Sequence, residues 1–102
     1  MLRNTLIVGF TVDLSEREND FILCISNHVE ESPSRLIERG ELYALAMTNG
    51  FSEREVYRFT MNFDLLGYVK AQPILGGKIA SVKLTAQGVD YARELRDRQK
   101  PL

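Results

Sequence analysis

Between Gly40 and Lys70 the chain reads GELYALAMTNGFSEREVYRFTMNFDLLGYVK, and the stop and start signals inside this stretch leave few folds open. Leu42, Leu45 and Ala46 recur at the three-and-four spacing that lines side chains along one helix face. Asn49-Gly50 closes that helix, because glycine takes the left-handed conformation of a helix C-terminus without a Cβ penalty. Ser52 then caps a second helix, with Glu55 at the reciprocal position of a capping box. Along that helix, expected over 53–66, Val56, Phe59, Phe63 and Leu66 form one apolar stripe before Gly67 ends it.

Two amphipathic helices joined by a short glycine-containing turn make a helix-turn-helix. Its outward face decides whether it grips nucleic acid or protein. At about 100° per residue, the side opposite Phe63 carries Arg54, Arg58, Met61 and Leu65, flanked by Tyr57 and Asn62. Arg and Asn bond base edges with paired geometry, so Arg54, Arg58 and Asn62, with Tyr57, suit a DNA groove. Met61 and Leu65 suit an apolar partner instead. Glu53, Glu55 and Asp64 leave the helix without the strong positive charge that phosphate binding favours.

With 102 residues the chain has room for one domain around one core, expected over 1–102. A formal net charge of -1 argues against a dominant nucleic-acid role, though a local basic patch would suffice. The lone cysteine excludes an internal disulfide framework and fits a reducing compartment. No apolar run approaches the roughly 20 residues of a membrane helix, and the N-terminus lacks the pattern of a secretory signal. The expected location is cytoplasmic.

In chain order, Leu6, Val8, Phe10 and Val12 alternate with Thr5, Ile7, Gly9 and Thr11, the period of a strand-like arm over 1–13. Such an arm either covers its own core or crosses to a second subunit and pins a homodimer. Ser15 and Glu18 form another capping box, opening a helix to around Glu30 with Phe21, Ile22, Ile25 and Val29 on its core face. Cys24 and His28 lie one turn apart on it. They could form a nucleophile with its base or half of a metal site, but with no second Cys or His in the chain a buried thiol beside an imidazole is the simpler reading. Pro33 marks a loop. Beyond it, either Ser34 caps a helix running through Gly40, or Leu36-Ile37 forms a short strand and the helix starts near Glu38. The cost of an interior glycine, about 1 kcal/mol, favours the later start.

After Gly67, two β-compatible segments flank Gly76-Gly77, a two-residue hairpin turn that would oppose Leu75 to Lys78, Ala71 to Val82 and Val69 to Leu84. Pro73 belongs on an edge strand, since it lacks a ladder donor. Lys78 falls at the tip, with Lys70 and Lys83 near the base. Thr85 caps a last helix with Val89, Ala92 and Leu95 as its stripe, and positions 99–102 are expected to fray.

This order of arm, helix, helix-turn-helix, hairpin and final helix is that of an α+β winged helix-turn-helix, with a three-helix core and a hairpin wing. From Gly40 to Ala92 the chain resembles the winged helices of MarR-type and PadR-type bacterial transcriptional regulators. Glu41, Leu42, Leu45, Ala46, Gly50, Ser52, Val56, Phe59, Phe63, Gly67, Tyr68, Val69, Leu84, Thr85 and Gly88 carry the resemblance. It implies that helix 53–66 enters the major groove of double-stranded DNA while the wing at 76–78 touches the backbone. Carried over by position, the DNA-binding set is Arg54, Tyr57, Arg58, Asn62 and Lys78, to which the charge pattern adds Lys70 and Lys83. The alternative is a protein-interaction winged helix that uses Tyr57, Met61 and Leu65 as an apolar patch. Catalysis, a cofactor and a metal site are not expected, because no carboxylate pair, triad, ligand cluster or phosphate loop is visible.

Overall fold

The computed structural model describes residues 14–99; the arm expected over 1–13 and positions 100–102 lie outside the described residues. Within them the fold is α+β. In chain order it comprises α1 (Glu16–Val29), β1 (Leu36–Glu38), α2 (Arg39–Thr48), α3 (Glu53–Leu65), β2 (Val69–Ile74), β3 (Lys78–Leu84) and α4 (Ala86–Gln99). Leu36 and Ile37 thus take the strand alternative, and Gln99 closes α4 instead of starting a frayed tail.

Both expected capping boxes are formed. The Ser15 hydroxyl accepts from the Glu18 N–H at 3.1 Å while the Ser15 N–H donates to the Glu18 carboxylate at 2.9 Å. Ser52 and Glu55 make the same exchange at 3.1 and 3.0 Å. At the far ends of α2 and α3 the chain leaves through one shared geometry. Gly50 and Gly67, each at φ 84°, donate to Met47 and Asp64, and the following Phe51 and Tyr68 donate to Ala46 and Phe63. This double bond pattern satisfies the last carbonyls of a helix and requires the left-handed glycine.

The core gathers on Phe21 of α1. Its ring centroid lies 4.8 Å from Phe51, 6.1 Å from Phe59 and 6.3 Å from Phe63. Phe51 sits in the turn between α2 and α3 and belongs to no periodic pattern, yet it is buried. Val56, Phe59 and Phe63 face inward as expected. Leu66, expected in the same stripe, is only half-buried; it is the C-cap residue, at the end of the helix. Thr60 takes the fully buried place instead, its hydroxyl donating to the Val56 carbonyl at 2.7 Å, which satisfies a buried polar group within its own helix.

The three strands form one antiparallel sheet in the order β1-β3-β2, which leaves β2, with Pro73, on an edge. Val69 pairs with Leu84 and Ala71 with Val82, as expected. At the tip, however, Ile74, not Leu75, faces Lys78, and Leu75 joins Gly76 and Gly77 in a longer loop. An irregularity after Gln72 absorbs the slip, so the base keeps its register. The sequence-based turn is therefore corrected by one residue.

Thr85 joins the hairpin to α4 and to the end of α3. Its hydroxyl donates to the Gly67 carbonyl at 2.7 Å and accepts the Gly88 N–H at 3.0 Å. Gly88 is buried against this joint, and a Cβ there would lie 2.0 Å from the Tyr68 carbonyl oxygen. Gly40, in the first turn of α2, has nothing within 4 Å of the same position. Gly→Ala in a helix ordinarily stabilises by up to about 1 kcal/mol. Gly40→Ala should follow that rule, whereas Gly88→Ala should destabilise by roughly 1–3 kcal/mol as overpacking forces the backbone apart. Urea unfolding of the two variants checks the opposite signs.

Candidate functional site

The exposed side of α3 is the surface on which the sequence places most of the candidate residues, and its charge depends on what its acidic residues do. Glu55 accepts two bonds from the Arg17 guanidinium of α1, Nε and Nη2 each donating at 2.8 Å. Arg17 Nη2 also donates to the Gly50 carbonyl at 3.0 Å, and the guanidinium stands 4.7 Å from the centre of the Phe51 ring. Glu53 accepts from Lys78 Nζ at 2.6 Å, and Asp64 accepts the Ala71 N–H at 2.8 Å. All three carboxylates of α3 therefore bond other elements of the fold: Glu55 and Glu53 each face a cation, Arg17 and Lys78, while Asp64, on a neutral N–H, keeps its negative charge.

Arg54 and Arg58 are exposed, and neither forms an ion pair or hydrogen bond with a described residue. They border a notch of about 340 Å³ between α3 and the hairpin, together with Glu53, Tyr57, Gly76, Gly77 and Lys78. Arg54, Tyr57, Arg58 and Lys78 are thus brought together. Lys78 is less available than its tip position suggested: besides its bond to Glu53, its ammonium lies 5.7 Å from the Tyr43 ring centre. Tyr43 accepts the neighbouring Ile79 N–H on its hydroxyl at 3.0 Å, so α2 and α3 both anchor the hairpin.

The remaining expected residues separate from this group. Asn62 donates its amide to the Glu18 carboxylate at 2.8 Å, which ties α3 to α1 and occupies the group that would read an adenine. Lys70 and Lys83 pair directly across β2 and β3. Their neighbours Val69, Val82 and Leu84 are buried, so strand alternation turns both lysines to the opposite sheet face from the helices. They do not share a patch with Arg54 and Arg58. Tyr57 and Met61 pack partly against the core, whereas Leu65 is 83% exposed. The expected apolar patch is therefore one protruding leucine beside two half-covered side chains.

The Cys24–His28 pair does not close into a site either. His28 Nε2 lies 3.2 Å from Glu41 on α2, while burial, helped by Asp20, pushes the half-buried Cys24 thiol up and away from its reactive thiolate form. Among the described residues no group of three or more His, Cys, Asp or Glu side chains could hold a metal ion, and no helix is long and apolar enough to cross a membrane.

No family model, curated protein or solved structure matches this chain. The reading of the site rests on its own geometry.

Sequence reasoning missed Arg17 and Phe51. A partner 38 residues away leaves no local trace, and a turn residue has no period to betray it. A charged residue in the first turn of α1 was the sole visible hint of Arg17.

The Arg17 guanidinium, then the Ser52 N–H, hold the Glu55 carboxyl at about 2, well below its ordinary value. A carboxylate with a depressed folded-state pKa contributes stability that is complete above its unfolded pKa and is lost as pH falls towards the folded value. Glu53, bonded by Lys78, shifts the same way. Thermal melts should therefore show the protein losing stability from about pH 4.5 down to about pH 2. Arg17→Met should lose less over that window than the unaltered protein, having already forfeited the contribution at neutral pH.

Proposed function

We propose that the chain is a winged helix of the kind found in MarR-type and PadR-type regulators, and that it binds double-stranded DNA as a transcriptional regulator. The four helices and the three-stranded antiparallel sheet occur in the order such a fold needs, with β2 and β3 as its wing. The observation that carries the DNA reading is the division of charge on α3. Each of its acids accepts a hydrogen bond from another element, while Arg54 and Arg58 on its exposed side form no ion pair or hydrogen bond with a described residue. An exposed guanidinium whose five donors bond no described residue suits phosphate oxygens or the paired acceptors of guanine.

In this reading α3 enters the major groove with Arg54 and Arg58 leading. Tyr57 stands beside them, and the glycines of the wing allow close approach to the backbone at the notch. Glu53 holds Lys78 and so fixes the wing relative to α3, a positioning role more than a phosphate contact. The protein-interaction alternative draws on the exposure of Leu65. One protruding leucine is small against the roughly 800 Å² that a stable partner interface covers on each side.

Fluorescence anisotropy with a labelled random-sequence duplex tests this. Affinity should fall steeply between about 50 and 200 mM salt as displaced counterions oppose binding. Arg58→Ala and Arg54→Ala should each cost about 1–3 kcal/mol. Lys70→Ala and Lys83→Ala, on the far sheet face, should each change affinity by less than about 0.5 kcal/mol. Undetectable or salt-independent duplex binding overturns the proposal, and equal losses from all four substitutions overturn the assignment of the binding face.

A further inference from the structure

Along α3 the unpaired guanidiniums continue into an apolar tract. At about 100° and 1.5 Å per residue, Arg54, Arg58, Met61 and Leu65 fall within a stripe roughly 60° wide and 16 Å long. The first half of the stripe is cationic. The second is apolar, with Met61 half-buried and Leu65 83% exposed. Beside it lies an open depression of about 530 Å³ that Phe59, Met61 and Leu65 line on its apolar side and Ser15, Glu18, Arg58 and Asn62 on its polar side.

Resting on the DNA reading above, we propose that Met61 and Leu65 read thymine methyl groups, so that the preferred duplex carries guanine opposite Arg54 and Arg58 and thymine opposite Met61 and Leu65. Three observations favour this occupant. The stripe is continuous with the two unpaired guanidiniums, whose charge complements DNA and brings this helix edge to it. Its narrow, straight shape suits a groove about 12 Å wide better than a flat protein partner. Its polar border cannot replace the apolar contact: the Asn62 amide is already given to Glu18, and the Glu18 carboxylate repels phosphate. Burial opposes ionising Glu18, but bonds from Ser15 and Asn62, with Arg58 nearby, keep its pKa below the usual carboxylate value. Of the groups on a base edge in the major groove, the C5-methyl of thymine is the apolar one. About five base pairs, at roughly 3.4 Å each, span the stripe, which places the guanine and thymine contacts on neighbouring steps of one groove.

The test is selection from a random duplex pool with the full chain, followed by anisotropy on the enriched duplex and on the same duplex with deoxyuridine replacing thymine. Deoxyuridine lacks only the methyl group. The expected result is an enriched guanine–thymine pattern and a loss of about fourfold for each methyl removed at a contacted position, the worth of one buried methyl group. Leu65→Ala should be about fourfold less sensitive to the exchange than the unaltered protein, keeping only the share read by Met61, and since Leu65 is exposed its melting temperature should match that of the unaltered protein. Enrichment without methyl sensitivity, or a Leu65→Ala variant as methyl-sensitive as the unaltered protein, overturns this inference alone. Failure to enrich any duplex overturns the DNA reading with it, and loss of self-association in Leu65→Ala without any duplex binding assigns the stripe to a second copy of the chain.

Discussion

Phe21 is the residue on which the other elements converge. Its ring meets Phe51 in the turn and Phe59 and Phe63 on α3, so one side chain of α1 fixes the second and third helices against each other. Tilted and offset ring pairs at these separations contribute beyond the apolar area they bury. The consequence is directional. With three phenylalanines drawn inward, the opposite side of α3 has no choice but to face solvent, and Arg54, Arg58 and Leu65 are exposed because Phe59 and Phe63 are not. Arg17 completes the clamp from outside, lying over Phe51 while it holds Glu55 and the Gly50 carbonyl.

That clamp also alters the charge of the surface. Counted along the sequence, α3 has three acids and two arginines and looks electrostatically unpromising. Counted by partner, one acid belongs to α1, one to the hairpin and one to a backbone N–H, and the arginines bond none of the described residues. Two of the bonds that fasten α3 to its neighbours, Arg17 to Glu55 and Lys78 to Glu53, also offset negative charge on it. Net charge over the chain does not report this arrangement: the charge of one face is local and depends on which carboxylates the fold pairs with cations.

Much of the architecture was legible because it is written in short-range chemistry. Ser15 with Glu18, Ser52 with Glu55, and the left-handed Gly50 and Gly67 are local signals whose meaning does not depend on tertiary context. The register of Ala71 against Val82 followed from alternation. What escaped was tertiary or marginal. Ile74 and Leu75 are both apolar, so the pattern could not say which would face Lys78, and the irregularity near Pro73 was decided by ladder geometry instead. Leu66 looked like the last rung of a stripe, but at the helix end, next to the glycine exit at Gly67, it is only half-buried. For the candidate site, the exposure of Arg54 and Arg58 was readable from the helical wheel. The capture of Asn62 by Glu18 and the turning of Lys70 and Lys83 to the far side of the sheet were not.

The hairpin illustrates how a positive charge can serve the fold and the proposed function at once. A lysine at a hairpin tip is usually a free, solvated charge with little influence on structure. Lys78 instead reaches back to Glu53 in the first turn of α3 and lies over Tyr43, whose hydroxyl accepts the next backbone N–H. The acid at the helix start neutralises a lysine, and the helix N-terminus keeps its own partial positive charge close to Arg54. Removing the Glu53 partner would therefore free a cation while loosening the hairpin that frames the notch. The two effects oppose each other in any DNA contact, so the charge of Lys78 cannot simply be added to those of Arg54 and Arg58. Its place in the site is geometric: it sets the distance between hairpin and helix across which the two arginines present themselves.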